Sequence, residues 1–133
     1  MNQKQASSDQ IERIDRITSA IATLESQKKQ IIAQGEVAPP GTVVSRYQVR
    51  QQQNIYWYYK LQAQEPIFPK TNEAKSFSKY KHLGKPGSQA HITAVMQVVR
   101  RSQIDEIQRT IDTLSQNLLD VGFDEQPKQK SNN

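Results

Sequence analysis

The chain has 133 residues, 35% of them hydrophobic, with a mean hydropathy of −0.81 and a formal net charge of +5. A chain of this size holds one domain plus tails, and so polar a composition leaves either a thin core or one completed by a second copy. It has no cysteine, which excludes disulfides and thiolate metal sites. No stretch approaches the ~18 apolar residues of a membrane span, and the opening MNQKQASSDQ lacks the apolar run of a signal peptide. A cytoplasmic protein without membrane contact is expected.

Residues 1–7 are polar and are expected to be disordered. A helix follows over 8–34: Ser7 or Ser8 can cap it, and Asp9 and Glu12 suit the positive end of its dipole. Ile11, Ile14, Ile17, Ile21, Leu24, Ile31 and Ile32 recur on one stripe at helical spacing, with Lys28 in the gap. A stripe this narrow suits a helical hairpin or coiled-coil seam. Gly35 and Pro39-Pro40-Gly41 end the element.

A sheet is expected over 42–84. Thr42 to Arg50 reads as a first strand, rich in Val and Tyr, with Arg46, Gln48 and Arg50 on one parity. Gln51 to Asn54 makes a tight connection to a second strand, Ile55 to Ala63. Ile55, Trp57, Tyr59 and Leu61 form its packing face, and Tyr56, Tyr58, Lys60 and Gln62 the opposite one. Pro66 and Pro69 break any ladder between Gln64 and Lys75, so a long loop is expected there, with Ile67-Phe68 tucked back or meeting a partner. Ser76 to Leu83 reads as a third strand. Phe77, Lys79, Lys81 and Leu83 share one parity, so either the lysines pass an edge or a bulge shifts the register.

Ser88 caps a second long helix over 88–120. Ile92, Val95, Met96, Val98 and Val99 give its first half a broad apolar face suited to covering the sheet. Ile104, Ile107, Ile111, Leu114, Leu118 and Val121 then narrow to a heptad seam. That seam matches Ile14, Ile17, Ile21 and Leu24 of the first helix, so these residues pair antiparallel within one chain or join two copies as a homodimer. Residues 122–133 are expected to be a disordered tail. The fold class is therefore α+β, a single domain over 8–121: a three-stranded antiparallel sheet covered by a long C-terminal helix, with a long N-terminal helix forming a helical pair or dimer seam.

Catalysis finds no support. There is no phosphate-binding glycine loop and no HExxH, and His82 and His91 stand without a carboxylate cluster, so neither an enzyme, a metal site nor a cofactor is expected. Charge points elsewhere. Between Gly41 and Gln103 there are ten Lys/Arg against two Asp/Glu, a net of +8, which leaves −3 for the remainder. All the aromatics except Phe123 fall in the same stretch. Arg46 and Arg50, taken on the outer face with Tyr56, Tyr58 and Lys60, and Lys79, Lys81, His82 and Lys85 around the third strand, make a candidate nucleic-acid surface; Arg100 and Arg101 could add phosphate contacts from the helix. A β-ribbon fits the major groove of duplex DNA, where arginine reads guanine and lysine meets phosphate. Stacking of RNA or single-stranded bases on Tyr56 and Tyr58 is the second use of such a face. The same residues could equally form a solvated basic surface over a second layer of core.

The segments IYWYYKL and SKYKHLG, followed by the helix from Ser88, resemble the Arm-type DNA-binding domains at the front of tyrosine integrases. They also resemble small uncharacterised proteins of the same pattern. The resemblance covers about 60 residues of this chain, and implies three strands, a covering helix and a DNA-binding mode. The loop Gln64–Lys75 exceeds the family's usual hairpin, and these 133 residues hold no integrase catalytic domain. The expected function is a non-catalytic DNA-binding protein, a dimeric regulator or accessory factor that favours double-stranded DNA. The alternatives are a protein-interaction adaptor working through its helical seams and the Ile67-Phe68 loop, or an RNA-binding module.

Overall fold

A computed structural model describes residues 7–71 and 75–124. The elements in chain order are α1 (Ser8–Gln34), β1 (Val43–Gln51), β2 (Asn54–Gln62), β3 (Phe68–Pro69), β4 (Phe77–Ser78), β5 (Tyr80–Gly84) and α2 (Gln89–Asp124). They form two units: a helical one from residues 1–30 and 104–133, and a sheet-bearing one from residues 31–103. The expected α+β class and the antiparallel three-stranded sheet are both present. The terminal tails expected to be disordered lie outside the described residues, except Ser7 and residues 122–124. Ser7 caps α1, its Oγ accepting from Gln10 N at 2.9 Å. Residues 122–124 continue α2 four residues past its expected end, since one glycine at 122 does not by itself stop a helix.

In the helical unit the two segments run antiparallel within one chain. The start of α1 meets the end of α2, where Gln10 Nε2 donates to the Val121 carbonyl at 3.1 Å. Further along, Lys28 Nζ donates to Gln108 Oε1 at 2.6 Å. The first contact satisfies one of the four C-terminal carbonyls that a helix cannot pair internally, and it is why Gln10 is buried. Ile111 and Val121 are the buried apolar residues; Ile14, Ile17, Ile21, Leu24, Ile104, Ile107, Leu114 and Leu118 are half-buried. Lys28, the gap in the α1 stripe, thus serves as a polar cross-link.

In the sheet unit, β1 and β2 pair without interruption from Val43↔Gln62 to Gln51↔Asn54. The turn is two residues, shorter than the four expected, and its first residue, Gln52, sits at φ +55°, a conformation hairpin turns usually give to glycine. β5 pairs the other edge of β2, with a bulge where Tyr59↔Gly84 is followed by Lys60↔His82. The extra residue is Leu83. The bulge turns it into the core while leaving Lys81 at the open edge, so the shifted register accounts for the mixed parity of that segment. Gly84, at φ +96°, makes the backbone change that follows.

The expected third strand, Ser76 to Leu83, is two strands. It breaks at Lys79, whose carbonyl accepts from Ala63 N at 2.8 Å. Upstream of the break, β4 pairs β3 through Phe68↔Ser78 and Pro69↔Phe77. The long loop therefore contains a short strand, contrary to expectation. Proline is tolerated because this pair is two residues long, and the bond next to it comes from Lys70 N to the Ser76 carbonyl. The fold carries Phe68 back into the core and leaves Ile67 exposed.

That core is thin. Leu61, Ala63, Phe68, Leu83 and Ala94 form it, with Val44, Tyr59 and Val98 packed alongside. The α2 residues covering the sheet are Ala94 and Val98, with His91 stacked on Tyr59 at 3.9 Å between ring centroids. Ile92, Met96 and Val99, expected on this face, are exposed. The apolar residues of this half-helix spread around too much of its circumference to choose a side. The side is chosen instead by Ser88, whose Oγ accepts from His91 N and donates to the Leu83 carbonyl.

Candidate nucleic-acid interface

Side chains directly across an antiparallel pair lie on one face, and successive residues alternate. Tyr59 and Leu61 pack under α2, so Tyr56, Tyr58, Lys60 and Gln62 face away from it, as expected. Across from them on β1 are Ser45, Tyr47 and Val49; across on β5 are His82, opposite Lys60, and Tyr80, opposite Gln62. These residues assemble a continuous aromatic and basic surface. Tyr47 and Tyr58 stack at 6.0 Å, and Tyr58 lies 5.6 Å from the His82 ring. The Tyr47 hydroxyl shares a 2.5 Å hydrogen bond with His82 Nδ1. Lys60 Nζ stands 4.2 Å from the Tyr80 ring centroid and 5.3 Å from that of Tyr47, close enough for cation–π attraction to hold it over the surface. Burial, and after it the nearby Tyr58 phenol, raises the pKa of Tyr47 above the usual tyrosine value, so its hydroxyl stays neutral and available for hydrogen bonding.

Arg46 and Arg50 are not on this face. The register pairs Arg46 with Tyr59 and Arg50 with Ile55, which sets both arginines on the α2 side, opposite Tyr56, Tyr58 and Lys60. This corrects the face assigned from the sequence. Alternation fixes the two faces within one strand, and only the pairing relates the parity of one strand to that of the next. Arg46 lies with its guanidinium carbon 3.9 Å from the Trp57 ring centroid.

β5 pairs β2 only at Tyr59 to Gln62. Beyond it, Tyr47–Gln51 and Asn54–Tyr58 form a two-stranded ribbon, with Gln48, Arg50, Ile55 and Trp57 on one side and Tyr47, Val49, Tyr56 and Tyr58 on the other. Neither residues 41–64 nor residues 75–103 contain an acid. Among the described residues, none of Arg46, Arg50, Lys60, Lys79, Lys81 and Lys85 pairs with a carboxylate.

The other expected cations divide. Lys79, Lys81 and Lys85 are exposed along β5 and the turn after it, at the open edge of the sheet. Arg100 and Arg101 instead hold the segment between α1 and β1. Arg100 Nη1 donates to the Glu36 carbonyl at 2.8 Å and Arg101 Nε to that of Ala38 at 2.8 Å. The Arg100 guanidinium lies so close to Gly35 that a Cβ there would come within 2.8 Å of it. Both arginines, expected from the sequence to meet phosphate, satisfy these carbonyls in the fold. Conversely, Tyr47 and Tyr80 belong to the surface, brought there by the pairing of β1 and β5 with β2.

Among the described residues there is no group of three His, Asp or Glu that could hold a metal ion, and no helix long and apolar enough to cross a membrane. No family model, curated protein or solved structure matches this chain, so the resemblance to the Arm-type domains rests on IYWYYKL and SKYKHLG alone.

Proposed function

We propose that this chain is a non-catalytic DNA-binding protein that engages a duplex with its β1–β2 ribbon. The observation carrying this reading is the ribbon itself: two strands extending past β5, with Arg50 and, just behind the extension, Arg46 on one side, tyrosines on the other and no acid in either strand. A two-stranded ribbon has the cross-section that the major groove admits. In that setting Arg50 at the tip and Arg46 behind it reach base edges, while Lys60, Lys79, Lys81 and Lys85 meet phosphates and position the ribbon. Arg46 and Arg50 on one face of the β1–β2 hairpin and Lys60 on the other suit a groove with two phosphate walls better than a flat surface does. Binding would make the protein a regulator or accessory factor of DNA transactions. A homodimer through the helices is part of the proposal: Ile11, Leu119 and Phe123 remain exposed on the helical unit and are available to a second copy.

The test is Arg46→Glu with Arg50→Glu, assayed by mobility shift on a random-sequence duplex. Loss of about tenfold or more in affinity with unchanged circular dichroism is expected, since each well-made arginine contact is worth ~1–3 kcal/mol. Unchanged affinity would remove the ribbon from the binding surface. A second reading is favoured by the exposed stripe Ile92, Met96 and Val99 and by Ile67: an adaptor that docks a protein partner. It predicts sensitivity to Met96→Asp and indifference to the arginine changes.

A further inference from the structure

Strands β3 and β4, with Lys70 and Thr71, and the first half of β5 line an open cleft of about 610 Å³. Its size lies within the roughly 300–1,000 Å³ of pockets that take small organic ligands. Phe68 and Pro69 give it an apolar wall, and Tyr80 lines it as well. Lys70 and Lys81 supply two cations, Thr71 and Ser78 two hydroxyls, and no carboxylate is among the described lining residues. His82 completes it. Since Tyr80 and His82 also belong to the outer face of the sheet, the cleft opens directly beside the Tyr47–Tyr58–Lys60 surface.

An aromatic ring beside an apolar wall accepts a flat heterocycle; paired cations without an acid accept a phosphate; hydroxyls suit a sugar or base edge. A paired base cannot leave its stack to enter such a recess, whereas an unpaired one can. We infer that this cleft takes one unpaired nucleotide of the DNA bound on the neighbouring surface, so that the protein prefers a duplex with a single-stranded overhang to a blunt one. This rests on the DNA-binding reading above. The base stacks on Tyr80, whose ring Lys60 already polarises from 4.2 Å, and the flanking phosphates lie against Lys70 and Lys81. Single-strand binders use the same pairing of aromatic platform and basic rim.

The experiment is fluorescence anisotropy with the full chain on one labelled duplex in three forms: blunt, with a short 3′ thymidine overhang, and with a short 5′ thymidine overhang. At least one overhang is expected to bind about fivefold or more tighter than the blunt form, the lower end of what stacking one base supplies. Tyr80→Ser should erase that advantage, read as the ratio of overhang to blunt affinity within each variant, so that any loss common to all three forms cancels. Lys70→Gln with Lys81→Gln, both at exposed positions, should also reduce it and guards against a Tyr80 variant that fails to fold. Equal affinity for all three forms would overturn the cleft's role and leave the ribbon reading standing, as would an advantage that survives both sets of substitutions. No binding to any form would overturn the DNA reading itself, and this inference with it.

Discussion

The two units of this chain handle charge in opposite ways. Residues 1–30 and 104–133 carry eight Lys/Arg and ten Asp/Glu, a net of −2, whereas residues 31–103 carry ten against three, a net of +7. In the helical unit the charges meet one another one turn apart: Arg13 with Asp9, Lys28 with Glu25, Arg109 with Glu106. Such exposed pairs contribute little stability and leave no field for a ligand. In the sheet unit the cations meet aromatic rings instead, Arg46 over Trp57 and Lys60 over Tyr47 and Tyr80. A ring orients a cation without neutralising it. Lysine and arginine thus meet carboxylates a helical turn away in one unit and aromatic rings across strands in the other.

The largest expected effect tests whether the sheet unit depends on its thin core. Phe68→Ala should cost about 3 kcal/mol, at the lower end for a buried phenylalanine because the site is only just buried. Chemical denaturation followed by Trp57 fluorescence, reporting on the sheet, would read it. A loss well below 1 kcal/mol would mean that the β3–β4 hairpin is not part of the core. Next comes charge. Lys79→Glu with Lys81→Glu should abolish retention on heparin at moderate salt without altering circular dichroism, because both side chains are exposed and unpaired among the described residues. The matching change in the helical unit, Arg109→Glu, removes a cation already paired with Glu106 and should leave retention nearly unchanged. Equal losses from the two units would dissolve the contrast between them.

A smaller effect concerns the Tyr47–His82 bond. Tyr47→Phe should destabilise the sheet by about 1 kcal/mol, the usual net worth of one hydrogen bond. Because burial and Tyr58 raise the pKa of Tyr47, folding favours its neutral form. The stability tied to that form is complete below the ordinary tyrosine value near ~10 and is lost as pH rises through the raised value. Tyrosinate absorbance should show a late-titrating phenol that is absent from the Tyr47→Phe variant. Smallest of all, Gln52→Gly should stabilise the hairpin by about 0.5 kcal/mol by relieving the positive φ at the turn; a destabilised hairpin would mean that the Gln52 side chain makes a favourable contact.

Much of this architecture is legible in the sequence because it follows from local chemistry. The caps at Ser7 and Ser88 place both helix starts, alternation places β1 and β2, and the lysines sharing a parity with Leu83 announce the bulge. What escapes is relational. The face of Arg46 depends on which β2 residue lies opposite, and a strand read alone does not contain that information. The covering face of α2 is set by the Ser88 and His91 contacts, because apolar residues lie on more than one side of the helix. The β3–β4 pair, and with it the cleft beside Tyr80, comes from residues whose prolines argue against any strand; a two-residue pairing needs too few ladder bonds for that argument to apply. The candidate surface was therefore visible in composition before its membership was: Lys60, Tyr58 and His82 belong to it, Tyr47 and Tyr80 join it through pairing, and Arg100 and Arg101 leave it for backbone carbonyls.

The most direct test of the central claim is an anisotropy titration of a random-sequence DNA duplex at several salt concentrations. The account predicts binding whose log affinity falls linearly with log salt, at about −0.9 per phosphate neutralised and about −3 or steeper in total, given the sheet cations that pair with no carboxylate among the described residues. Binding that is absent at low salt, or that is indifferent to salt, would contradict it.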